Sequence, residues 1–103
     1  MTLVAKGAAV SVPVEVTCGP GVAFAGLSVR VNQARGSHLA TGFGGTSALW
    51  CDGLPHIVDV LVQASSGAFK TGDALVTARV FACPGFPGLC GEDEDAEVAK
   101  VTK

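Results

Sequence analysis

The residues of this chain equipped for chemistry are four cysteines (Cys18, Cys51, Cys83 and Cys90), two histidines (His38 and His56) and the acidic run Glu92-Asp93-Glu94-Asp95. Zinc would need ligands in short pairs, such as Cys-x-x-Cys or His-x-x-x-His. The cysteines are scattered instead, and the histidines stand far apart. An even number of cysteines near the ends of strand-like segments reads as two disulfides, which persist in oxidising compartments. Four cysteines allow three pairings. The loop Pro84-Gly85-Phe86-Pro87-Gly88-Leu89, bracketed by Cys83 and Cys90, has the composition of a loop preshaped by a local bridge. That favours Cys18–Cys51 with Cys83–Cys90 over the main alternative, Cys18–Cys83 with Cys51–Cys90. A long Cys18–Cys51 closure is worth on the order of 3–4 kcal/mol in the chain-entropy description.

Catalytic constellations are not supported. A serine hydrolase needs a serine activated by a histidine that an acid orients, and the Gly-x-Ser-x-Gly elbow is missing. Ser37 and His38 are adjacent, so on a strand they point to opposite faces. His56 follows Pro55 at a strand start, where an exposed histidine is ordinary. The acids at 92–95 lack the spaced loop of an EF-hand and read as a solvated, self-repelling tail. Gly67-Ala-Phe-Lys70-Thr71 misses the glycine a phosphate loop requires before its lysine. No metal or cofactor is expected, and the chain reads as a non-enzyme.

Binding residues are better represented. Trp50 beside Cys51 either packs on a disulfide or offers an aromatic contact to a partner. Phe86 and Leu89 sit on the tip of the Cys83–Cys90 loop, where apolar side chains wait for a cover. Trp50, Phe86 and Leu89 are therefore the partner-binding candidates.

The elements that must position these residues are strands. Val10, Val12, Val14 and Val16 alternate with polar residues, the period of a half-buried strand, and Cys18 shares their inward face. Pro13 suggests an edge or bulge. Further strands are expected over 22–33, 38–43, 46–51, 56–64 and 75–83. Gly44-Gly45 reads as a hairpin turn, Val58–Val62 as buried on both faces, and Phe69 as an apolar plug in a polar loop. Strands at 8–12-residue spacing with Gly/Pro turns predict an antiparallel, immunoglobulin-like β-sandwich of six or seven strands with two disulfides. Residues 1–103 make one domain, with its core over about 8–90. Residues 91–103 form an acidic tail that is mobile or weakly paired. Thr2 to Ala9 reads as a flexible arm.

The net charge of −2 with dispersed Lys and Arg argues against a nucleic-acid module. No apolar stretch reaches the ~20 residues of a helical membrane span. Met1 to Lys6 is too short for a signal peptide, so oxidised cysteines imply an export signal removed ahead of this segment and a secreted product.

Val16-Thr17-Cys18-Gly-Pro-Gly21, Leu27-Ser-Val-Arg-Val-Asn-Gln33, Cys51-Asp-Gly53, Phe69-Lys-Thr-Gly72-Asp-Ala74 and Ala82-Cys83 resemble small exported immunoglobulin-like domains of actinobacteria, over about residues 8–83. The resemblance implies a secreted binding or adaptor module, one subunit of an extracellular protein assembly. Contact would run through rigid loops or a strand added to a sheet edge. A more distant similarity is to neocarzinostatin-type apoproteins, which implies as an alternative a carrier of a small apolar ligand in a cleft near Phe24, Phe43 or Trp50. The cysteine placement departs from that family. A hydrolase is the remote third reading.

Overall fold

The computed structural model describes residues 1–22, 24–47, 49–84 and 90–103, with the backbone alone of Arg35. Seven strands form one antiparallel sheet: β1 (Thr2–Val4), β2 (Ala9–Thr17), β3 (Phe24–Arg35), β4 (His38–Thr46), β5 (Pro55–Ser66), β6 (Gly72–Cys83) and β7 (Gly91–Val101). Their spatial order is β1-β2-β5-β4-β3-β6-β7. The sheet curls into a half-barrel. All-β antiparallel architecture with two disulfides is as expected, but hydrogen bonding runs unbroken through all seven strands rather than dividing them into two sheets.

The curl follows from one-sided burial. Val10, Val12 and Val16 of β2, Leu27, Val29 and Val31 of β3, Val60 and Val62 of β5, and Ala74 and Val76 of β6 are buried together. Alternate residues face outward, so β5 is buried on one face only: Ile57, Asp59 and Leu61 are exposed. That corrects the two-faced burial expected of Val58–Val62, and Asp59 marks the outward set. A core of valines is thin, so the sheet must bend closely to fill it.

Bending is easiest where side chains are missing. Pairing between β4 and β5 is confined to Thr41↔Ser66, Gly42↔Ala64 and Phe43↔Gln63, with a register shift at Thr41/Gly42. A methyl group on Gly42 or Gly44 would run into the backbone carbonyl of Gln63 or Leu61. Gly44-Gly45 therefore lies inside β4 and is not the hairpin turn expected from its dipeptide. Among the described residues of 46–51, strand likewise ends at Thr46. These glycines serve close backbone approach, not positive φ.

The two ends of the curl differ. At one end Phe69 is buried to 2% exposure, and its N–H donates to the Gly7 carbonyl at 2.8 Å. Gln33, equally buried, donates through Nε2 to the Lys70 carbonyl at 2.7 Å, while its Oε1 accepts from the Lys70 N–H at 2.8 Å. His38 Nε2 meets the Ala68 carbonyl at 2.7 Å. The Phe69 loop is thus a plug clamped by a buried amide. The chain termini close the same end: Leu3 N–H donates to the Thr102 carbonyl and Thr102 N–H to the Met1 carbonyl, both at 2.8 Å. Thr2 and Thr102 form a parallel bridge. The segment expected to be a flexible arm is therefore β1, turned into β2 through Ala5, Lys6 and Gly7, all at positive φ.

The other end carries both disulfides, Cys18–Cys51 and Cys83–Cys90. Cys83 and Cys90 flank the end of the β6–β7 hairpin, one step beyond the Ala82↔Gly91 pair. Here the tail expectation is corrected. Residues 91–101 are a strand paired along its whole length to β6, from Ala82↔Gly91 to Gly72↔Val101. The bridge and the aliphatic face of β6 hold an acidic sequence in strand conformation despite its low β-propensity.

Candidate functional site

Among the described residues, β1 covers β2 only at Ala9, Val10 and Ser11. Beyond Ser11, β2 has β5 on one side and nothing paired on the other. β7 pairs with β6 and meets β1 only at Thr102. The curled sheet thus closes at the plugged end and stays open along a seam between Val12–Thr17 of β2 and the edge of β7. The hollow in this seam has a volume of about 580 Å³.

Its composition follows from register. On β6, Val76, Ala78 and Val80 stand on the inner face, and their β7 partners are Glu97, Asp95 and Asp93. Partners directly across a ladder share a face, so three carboxylates line the inner side of the seam at every second residue. Opposite them, Val12, Val14 and Val16 come from β2, and Leu27 completes an apolar floor. Glu15 adds a further acid at the rim. Of these acids and Glu94, only Glu94 forms an ion pair among the described residues, with Arg79 Nε at 3.3 Å. The Glu94 N–H is met by Asp93 Oδ1 at 3.1 Å, so Asp93 covers one donor of the strand locally. The seam offers unpaired backbone, an aliphatic floor and a negative wall.

Trp50 is not packed in the core. It is 70% exposed and stands edge-on to His56, with ring centroids 5.0 Å apart. His56 Nε2 in turn faces the Asp52 carboxylate at 2.9 Å. The Leu54 N–H donating to Asp52 Oδ1 and the His56 side chain together hold the Asp52 carboxyl below its ordinary range. This Trp50–His56–Asp52 cluster adjoins the Cys18–Cys51 bridge, and the Gly53 N–H donates to the Cys18 carbonyl at 2.8 Å. The packing role open to Trp50 in the sequence is thereby corrected in favour of exposure. Phe86 and Leu89 lie outside the described residues.

His38 is engaged with backbone at the plugged end, and among the described residues His56 has Asp52 but no nucleophile as a hydrogen-bond partner. Among the described residues no three His, Cys, Asp or Glu side chains gather as a metal site, and no helix is long and apolar enough to cross a membrane. Phe43 is exposed on the outer face and lines a hollow with Ser28, Arg30, Arg79 and Glu94, polar company for an apolar ligand. Phe24 and Trp50 line neither that hollow nor the seam.

The seam was missed as a site in the sequence. The signals were present separately, in the valine alternation of 10–16 and in the acid run continuing through Glu97. Only the β6–β7 register brings them face to face. Comparison with protein-family models, with curated proteins and with solved structures finds no match to this chain.

Proposed function

We propose that this chain is a non-catalytic, exported protein-interaction module, a subunit of a hetero-complex that receives a strand of its partner in the seam between β2 and β7. The observation that carries this is the coincidence of two unpaired strand edges with an apolar floor. Strand addition obtains affinity from main-chain hydrogen bonds and specificity from alternate side chains, and the seam presents both. The carboxylates favour a different chain over a second copy. Two β7 edges laid together would set acid against acid, which is destabilising across a ladder.

The two disulfides suit an oxidising, extracellular setting. The strand order also fits an immunoglobulin-like frame: β1-β2-β5-β4 and β3-β6-β7 correspond to the ABED and CFG sets of that sandwich, joined here through the β3–β4 hairpin. That agreement supports the resemblance to exported immunoglobulin-like domains. Trp50, standing out at the disulfide end, supplies a second contact on the same module.

A photo-reactive residue placed at Asp95, compared with one at Lys70 on the plugged end, tests the proposal against exported proteins of the source. A discrete adduct is expected from position 95 and not from position 70. Equal labelling at both positions, or none at 95, would sink it.

A further inference from the structure

We infer that the segment received by the seam is a strand of another protein carrying lysine or arginine at alternate positions, its basic side chains directed inward. This rests on the strand-addition reading above and adds the partner's chemistry to it.

Asp93, Asp95 and Glu97 recur every second residue on the inner face of β7. An added antiparallel strand has the same repeat, with side chains of one face ~6.6–6.8 Å apart. Its inward residues therefore meet these three carboxylates one for one. The floor beneath is aliphatic, from Val76, Ala78 and Val80. A short cation would leave that floor wet, and an apolar side chain would strand the acids beside it. Lysine and arginine satisfy both requirements, because the methylene stem covers the floor while the charged head reaches the carboxylate.

Residues 1–103 hold no such strand. Its Lys and Arg residues, at 6, 30, 35, 70, 79, 100 and 103, include no pair two positions apart. A second copy is thereby disfavoured on sequence as well as on charge, and the occupant is a separate basic segment.

The test titrates the intact, disulfide-bonded protein with three peptides of about ten residues. All carry threonine at alternate positions, with lysine, glutamine or glutamate at the others. Binding is read by calorimetry, and its place by amide shifts. The lysine peptide is expected to bind and to shift amides of residues 12, 14–17 and 92–98. The glutamine peptide should bind about tenfold more weakly or worse, and the glutamate peptide more weakly still, since each opposite-charge cross-strand pair adds to the ladder and each like pair subtracts. In the triple variant Asp93→Asn, Asp95→Asn, Glu97→Gln the advantage of lysine over glutamine should vanish. In Glu92→Gln, altered on the outer face, it should persist.

Equal affinity of the lysine and glutamine peptides at the seam, or an advantage surviving the triple variant, overturns the basic-partner inference and leaves strand addition standing. Failure of all three peptides to shift seam amides overturns strand addition as well. Lysine-peptide shifts confined to other surfaces also count against both.

Discussion

Removing the Phe69 ring should unfold this protein at much milder conditions. Phe69 is the largest fully buried side chain, in a core otherwise built from valine, leucine and alanine. Phe69→Ala loses the ring's transfer energy and leaves a cavity that stiff β-branched neighbours cannot collapse into, a combination costing about 3–5 kcal/mol. Domains of this size hold roughly 5–15 kcal/mol in all, so the loss is about a fifth of the total or more. At roughly 4–8 °C per kcal/mol, the melting temperature falls by at least ~12 °C. Phe69→Leu, which refills most of the space, should cost about 1–2 kcal/mol. The assay is urea unfolding followed by far-ultraviolet circular dichroism with the disulfides intact. Trp50 fluorescence is a poor probe because that ring is already solvent-exposed. A loss below ~1 kcal/mol, the scale of an ordinary surface substitution, would refute the plug. Gln33→Leu would then locate the error. It strips partners from the Lys70 N–H and carbonyl, and about 0.5–1.5 kcal/mol is expected for each hydrogen bond lost.

The disulfides should contribute unequally. With 33 and 7 positions between partners, the chain-entropy relation assigns about 3.7 kcal/mol to Cys18–Cys51 and about 2.4 kcal/mol to Cys83–Cys90. Paired alanine variants in urea titrations should follow that order, and a reversed order would contradict it. Gly44→Ala drives a methyl group into the Leu61 carbonyl and should cost about 1–3 kcal/mol, whereas Gly19→Ala, with open space around it, should stay within about 0.5 kcal/mol of the parent. Asp52, whose carboxyl titrates below its ordinary value because of the Leu54 N–H and His56, stabilises the fold above the unfolded-state pKa. That contribution disappears as pH falls through the lower folded-state value. Asp52→Asn should therefore flatten the acid limb of melting temperature against pH, and an unchanged limb would count against the Asp52 contacts.

Local pattern carried much of the fold into the sequence, and its failures have a common cause. The valine alternation of β2, the inward sulfur of Cys18, the burial of Phe69 and the Cys83–Cys90 bridge were legible because each depends on residues near in sequence or on simple periodicity, and Cys18–Cys51 followed as the remaining pair. Gly44-Gly45 misled because a diglycine satisfies two different demands. One is positive φ at a turn, and the other is close approach of a neighbouring strand. Only the position of β5 decides between them. The acid run misled similarly. Glu92 to Asp95 repel one another and disfavour a strand, yet eleven residues of β6 lie beside β7 and a cross-link holds their shared end. The seam depended on the second of these errors. With 91–103 read as a loose tail, no strand faced β2 and no site could be drawn.

An exposed sheet edge is a hazard that proteins ordinarily suppress, by shortening it, charging it or covering it. This fold treats its two edges at one end by tying β1 to β7 through Leu3, Thr102 and Met1. Beyond that tie, Pro13 removes one donor from the β2 edge, and inward carboxylates guard β7. These are the devices of an edge kept open but selective. Proline and charge prevent indiscriminate pairing without filling the apolar hollow lined by Val12, Val14 and Val16. If the acids served only to blunt the edge, the outer-face pair Glu92 and Glu94 would suffice, since they meet solvent and any approaching strand. Asp93, Asp95 and Glu97, solvent-exposed themselves, instead stand on the face that carries Val76, Ala78 and Val80, where an added strand would bring its inward side chains beside them. That placement argues for recognition as well as protection.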